Sequence, residues 1–200
     1  MIPNNLLIAT TNRGKIREIE ALLKEDFPGL KLYSLSDLNI TLECPEAGHT
    51  FYENAAAKSL FYSKIAKNIL TTADDSGLVV EALNGQPGIH SARYAGADCD
   101  DEKNTAKLLR ELKHVKNRSA KFVTAVVLSK NGKMIKSFNG EVRGTILPEK
   151  RGNSGFGYDP VFYYPPLRKT FAQLTTREKN RVSHRANALK KLNTFLSELL

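Results

Sequence analysis

Asp74 and Asp75, followed by Ser76 and Gly77, close the apolar run Ile69-Leu70-Thr71-Thr72-Ala73. Two carboxylates side by side at the end of a buried strand repel each other and lose hydration unless a cation joins them. Mg2+, a hard ion held by one or two carboxylates and by substrate phosphates, suits such a pair. Side chains alternate along a strand, so both reach one ion only if the chain bends there. An Asp-rich β-turn accounts for the same residues without a metal. No basic residue lies near the pair in sequence, which predicts dependence on a divalent cation.

Three further stretches could handle a nucleotide. Thr10-Thr11-Asn12-Arg13-Gly14-Lys15 joins a short apolar run to a helical pattern, and helix N-terminal N–H groups with hydroxyls and a lysine make an anion site. It lacks the first glycine of a Walker A loop, and an ordinary capped turn fits it equally well. Gly152-Asn153-Ser154-Gly155-Phe156-Gly157-Tyr158-Asp159-Pro160 lets a ligand approach the backbone and offers Phe156 for stacking on a base, or it is a flexible hairpin loop. In Glu178-Lys179-Asn180-Arg181-Val182-Ser183-His184-Arg185, Ser183 is a candidate N-cap that puts His184 and Arg185 in the first turn of the last helix. Cations there oppose the helix dipole at about 0.3–1 kcal/mol each, so an anionic or carbonyl-bearing ligand would justify them. His49, His90 and His114 are scattered and suggest neither a histidine metal site nor a Ser-His-Asp triad. Together these motifs describe a nucleotide site with metal-assisted hydrolysis as its chemistry, without saying which bond or which base.

The elements that must position these groups alternate. Leu6–Thr10 reads as a strand, Lys15–Asp26 as a helix stopped by Pro28-Gly29, and Thr50, with Glu53 three residues on, caps a helix running to about Asn68. Ile69–Ala73 reads as a strand ending at Asp74–Gly77, Leu78–Ala82 as another short strand, and 84–101 as a long loop. Lys103–Lys113 reads as a helix, Lys121–Ser129 and Met134–Arg143 as strands joined by Asn131-Gly132, Val161–Tyr164 as a strand, and His184–Leu199 as a closing helix. The pattern predicts an α/β fold with a mixed sheet.

Composition bounds the answer. The chain has 200 residues, 41% hydrophobic and 26% charged, which is globular composition and ample for a core. Two cysteines, Cys44 and Cys99, make no disulfide framework. The N-terminal apolar run is too short for a signal sequence, and no stretch approaches a membrane span, so a cytoplasmic location is expected. The net charge is +9. Between Arg168 and Lys191 eight basic residues face one acid, Glu178, for a local net of +7 that leaves +2 for the rest. That concentration fits a phosphate-rich ligand, a nucleotide or a nucleic acid, or else a solvated helix face.

The fragments LLIATTNRGKIREI, FYENAAAKS, TADDSGLVVEALNGQPGIHSARYAG, GNSGFGYDPVF and LTTREKNRVSHRANALKKL, in this order over nearly the whole chain, resemble the inosine/xanthosine triphosphate pyrophosphatases. The resemblance implies a single domain over 1–200, an elongated mixed sheet flanked by helices, with two lobes enclosing a nucleotide cleft, and a homodimer. It implies hydrolysis of ITP, dITP and XTP to the monophosphate and pyrophosphate with one or more Mg2+ per subunit. It assigns Thr10, Thr11, Asn12, Arg13, Gly14, Lys15 and Lys58 to the phosphates and Asp75 to proton acceptance. Ser76 would touch substrate, and Phe156, Gly157, Tyr158, Asp159, Lys179, His184 and Arg185 would surround base and sugar. Glu46, Asp74 and Asp75 would hold the metal. Cys44-Pro45 departs from the family pattern and leaves Glu43 open as an alternative to Glu46. Arg185, a donor-only cation, would read the 6-oxo group of hypoxanthine or xanthine. A Maf-like pyrophosphatase acting on other nucleotides ranks second, and a basic nucleic-acid-binding module is the reading from another class.

Overall fold

The computed structural model describes residues 4–199. Strands and helices follow as β1 (Asn5–Ile8), α1 (Arg13–Asp26), β2 (Lys31–Ser34), α2 (Phe51–Ile65), β3 (Leu70–Val80) and α3 (Asp101–Glu111). The chain continues through β4 (Ser119–Lys130), β5 (Lys133–Ile146), β6 (Phe162–Tyr164), β7 (Lys169–Thr170), α4 (Thr176–Val182) and α5 (His184–Leu199). The seven strands form one sheet in the order β2-β1-β3-β4-β5-β6-β7. It is mixed: β1 runs parallel to β2 and β3, whereas β6 is antiparallel to both β5 and β7.

The chain gathers into two compact units. One comprises everything up to Asp75, Thr124–Gly140 and everything from Arg185, and the other comprises Ser76–Val123 and Glu141–His184. In the first, the strand period of two sorts side chains onto two layers. Leu6 and Ile8 of β1 join Ile19, Leu22 and Leu23 of α1 and Leu189, Leu192 and Leu196 of α5. Leu7 and the following Ala9 turn to the opposite side, with Ala73 of β3 and Tyr62 of α2. α2 lies close to the sheet because it presents small residues there: Ala55 packs on Ala125 and Val127, and the Ser59 hydroxyl bonds Ser129 Oγ at 2.7 Å. The second unit is built around aromatic rings. Phe122, Phe162 and Phe171 pack together at centroid distances of 4.6, 5.9 and 4.9 Å, and Leu108 of α3 and Leu112 just after it close the same core.

Local signals set the element ends. Asn12 caps α1 by accepting from Lys15 N at 3.0 Å, so the helix starts at Arg13, two residues earlier than predicted. Thr50 caps α2 through Glu53 N, as its spacing predicts. Asn131 and Gly132 take φ values of 52° and 75° between β4 and β5, as a two-residue hairpin turn requires.

The largest departure concerns β3. It does not end at Asp74–Gly77 but runs unbroken from Leu70 to Val80, so the predicted turn and second strand are one strand. Asp, Ser and Gly are turn residues by preference, but sheet pairing and burial override that preference here. The stretch predicted as a loop holds a short 3-10 turn at Gly88–Arg93, and α4, absent from the prediction, is closed at its start by a Thr175–Glu178 capping box.

Candidate active site

Because β3 continues straight, Asp74 and Asp75 point to opposite faces of the sheet. The expected three-carboxylate group of Glu46, Asp74 and Asp75 does not form. Among the described residues no group of three or more His, Cys, Asp or Glu stands where it could hold a metal ion.

Asp74 is fully buried on the α1–α5 side. Its Oδ2 lies 3.2 Å from Lys15 Nζ and accepts from Arg185 Nη2 at 3.0 Å and Nε at 3.2 Å. Arg185 reaches on to Glu18, completing a buried chain Lys15–Asp74–Arg185–Glu18. Burial alone would raise the Asp74 pKa, but Lys15 and Arg185 outweigh it and hold the group well below the usual carboxylate range. Burial lowers the Lys15 pKa against the pull of Asp74.

Asp75 lies on the α2 side. Lys58 Nζ donates to its Oδ1 at 3.2 Å, Asn54 Nδ2 to its Oδ2 at 3.2 Å, and the Thr124 hydroxyl to its backbone carbonyl at 3.2 Å. Burial raises the Asp75 pKa, and Lys58 offsets only part of that rise. Lys58 also contacts Glu46 Oε1 at 3.0 Å. Burial would lower the lysine's pKa, but Asp75, Asp74 and Glu46 outweigh it, so the side chain stays cationic. The absence of basic neighbours in sequence is therefore misleading, because Lys15, Lys58 and Arg185 supply the cations through space.

Glu46 and Asp75, both against one ammonium group, suit Mg2+, which needs only one or two protein carboxylates. Asp74 stands apart from them, its Oδ2 bonded by Lys15 and Arg185 while its buried Oδ1 has no hydrogen-bond partner among the described residues. Ahead of α1, Thr11, Asn12 and Arg13 are exposed, and Thr10 Oγ1 accepts from Asn12 N at 3.2 Å, which leaves a capped helix start facing solvent.

The second unit holds the glycine-rich loop in shape through Asp159. Its Oδ2 accepts from Phe156 N at 3.0 Å and pairs with Lys179, both acidic and basic groups being buried. A Cβ at Gly155, where φ is +80°, would stand 2.1 Å from that same oxygen, so glycine is required there. Lys179 Nζ lies 4.9 Å from the Phe156 ring centroid. Gly157 N donates to Asp101 Oδ2 at 2.7 Å. His184 stacks on Phe122 at 4.8 Å with planes 14° apart. Ser76 follows Asp75 and is half-buried.

Three predicted side chains turn to partners within the protein. Tyr158 is core, its ring buried and its hydroxyl donating to Ser91 O at 2.8 Å, so it offers a ligand only backbone. Lys15 turns inward to Asp74 and away from the helix mouth. Arg185, 1% exposed, is turned to Asp74 and Glu18, much as Lys179 is turned to Asp159. The basic run is likewise no continuous patch: Lys169 pairs with Glu178, Lys179 with Asp159 and Arg185 with Asp74. Glu18, Asn54 and Thr124 escaped the sequence reading. The available signal was helical spacing, since Glu18 lies three residues from Lys15 and Asn54 four from Lys58.

A sequence profile described as the Ham1 family matches residues 6–195, and the chain belongs to that family. It is 45% identical over 198 residues to a dITP/XTP pyrophosphatase of Bacillus subtilis, covering 98% of each chain. Among solved structures, the Staphylococcus aureus Ham1 protein is 44% identical with a TM-score of 0.86, covering 98% of this chain and 100% of that one. A HAM1 protein from Coxiella burnetii is 36% identical with a TM-score of 0.85, over 97% of this chain and 98% of that one.

Proposed function

We propose that the chain is a nucleoside triphosphate pyrophosphohydrolase that removes dITP, ITP and XTP from the nucleotide pool. The observation that carries this reading is a buried aspartate, Asp75, gripped at both oxygens and sharing a lysine with Glu46, in a chain that aligns end to end with dITP/XTP pyrophosphatases.

Asp75 accepts, at its carboxylate, the proton of a water that attacks the α-phosphorus. The bond from that phosphorus to the α–β bridging oxygen then breaks, and pyrophosphate leaves with that oxygen. Lys58 and Asn54, one on each oxygen, orient the Asp75 carboxylate for that proton. Glu46 and Asp75 would hold Mg2+, which supplies positive charge against the triphosphate. Lys58 and the exposed helix start from Thr10 to Gly14 add donors for the phosphates. In the second unit, Phe156 offers a face for the purine with Lys179 beside its ring, and His184 is a further polar partner for base and sugar. A 6-oxo group accepts from a donor-only cation such as Lys179, whereas the 6-amino group of adenine cannot. The enzyme works as a homodimer in the cytoplasm, and light scattering at micromolar concentration reads the first of these as twice 22.2 kDa.

The test is pyrophosphate release from dITP, ITP, XTP, GTP, ATP and dTTP, with Mg2+ and with excess EDTA. Release from the first three, abolished by EDTA, is expected. Preference for dTTP or ATP overturns the substrate assignment, and full turnover in EDTA overturns the metal. Salt-sensitive oligonucleotide binding without any release supports the nucleic-acid reading instead.

A further inference from the structure

Asn54 is a buried amide, 1% exposed, in a helix that continues Ala55-Ala56-Ala57. Asparagine is a poor helix former and costly to bury, so alanine would serve the helix better. Both ends of its amide are used. Nδ2 donates to Asp75 Oδ2 at 3.2 Å, and Oδ1 accepts from Gly48 N at 2.9 Å. The amide has one workable orientation, because a flip would set oxygen against carboxylate and NH2 against N–H. Four residues on, Lys58 makes a second bridge between the same two places, joining Asp75 Oδ1 to Glu46. Residues four apart share a helix face, so one side of α2 grips the carboxylate by both oxygens and the segment carrying Glu46 at two points. The fit at Gly48 is close: a Cβ there would stand 2.7 Å from Asn54 Oδ1.

We propose that Asn54 is a positioning residue for the hydrolysis, orienting the Asp75 carboxylate and tying it to the Glu46 segment through Gly48. The proposal rests on the pyrophosphohydrolase reading. Lys58 supplies charge and Asn54 supplies direction, since a neutral amide can fix a carboxylate without changing the charge presented to the triphosphate.

Asn54→Asp separates this role from a merely structural one. It retains an acceptor for Gly48 N–H and loses the donor to Asp75, whereas Asn54→Ala loses both. The measurements are kcat and KM for pyrophosphate release from dITP, the dissociation constant of a non-hydrolysable dITP analogue, and hydrogen exchange at the Gly48 amide. For Asn54→Asp, Gly48 stays protected and kcat falls about tenfold or more. Its added negative charge also weakens nucleotide binding, so the neutral Asn54→Ala carries the affinity test, with a dissociation constant within about twofold of wild type. Asn54→Ala shows the same fall in kcat with faster Gly48 exchange. Near-normal kcat in Asn54→Asp, or a loss confined to nucleotide affinity, overturns the role of Asn54 alone. A wild-type protein that releases no pyrophosphate overturns the functional reading itself.

Discussion

Asp74 and Asp75 are neighbours on one strand, yet the two sides of the sheet treat them differently. On the α1–α5 side, Asp74 meets two cations and becomes the fixed centre of a buried ionic chain with Lys15, Arg185 and Glu18. On the α2 side, Asp75 meets one cation, shared with Glu46, and one neutral amide. In the first arrangement Lys15 and Arg185, both acting through Oδ2, keep the group ionised well below the usual carboxylate range. The second leaves a carboxylate that burial makes more basic and that two donors aim. Strand alternation, which adds nothing to the composition, thus sends one aspartate into a buried ionic chain and the other, the proposed base, to a shared lysine and an amide.

This contrast can be broken first at Asp75. Asp75→Asn is expected to lower kcat about 10²–10⁴-fold, the usual worth of a general base, with nucleotide affinity and melting temperature preserved. Steady-state pyrophosphate release, analogue binding and thermal melting check it, and near-normal kcat would remove Asp75 from the chemistry.

At Asp74 the expected loss is of stability. Arg185→Ala leaves Asp74 and Glu18 buried with their charges less compensated, and breaking such a pair costs about 3–5 kcal/mol. Urea unfolding measures it. A variant as stable as wild type with a changed dITP-to-dATP preference would return Arg185 to the base-reading role expected from sequence.

Smaller effects sharpen the account in the second unit. Lys179→Met is expected to shrink the dITP-over-dATP ratio in kcat/KM by about 1.5–3 kcal/mol, the worth of one charged hydrogen bond. An unchanged ratio would show that Lys179 serves only to hold Asp159 and the glycine-rich loop.

The smallest effect concerns Glu178, whose capping bonds to Thr175, and then Lys169, hold its pKa at about 2. A depressed carboxylate stabilises the fold above the ordinary glutamate range, and that stabilisation is lost as pH falls. The melting-temperature gap between wild type and Glu178→Gln should be constant above about pH 5 and close toward pH 2.

Several parts of the molecule were legible because their signals are local. Asn12 and Thr50 cap helices by reaching three residues along their own chain. Asn131-Gly132 turns β4 into β5 because both residues accept positive φ. β3 departs from its local signal for the converse reason: Asp74-Asp75-Ser76-Gly77 has turn composition, but its place beside β4 and the burial of all but Ser76 keep it extended. Nothing in ENAAAKS tells that Glu46 and Asp75 lie within reach of Lys58, since both partners are distant in the chain.

By itself, then, the sequence determined an α/β chain with capped helices, a tight hairpin and a set of acids, cations and glycines suited to a nucleotide, because propensity, capping and turn chemistry act over a few residues. Tertiary structure alone decided which aspartate meets two cations and which shares one lysine with Glu46. Arg185 reaches Asp74 across 111 residues of chain and Lys58 reaches Asp75 across 17, and a charge finds its partner by folded distance, which strand pairing and helix packing set.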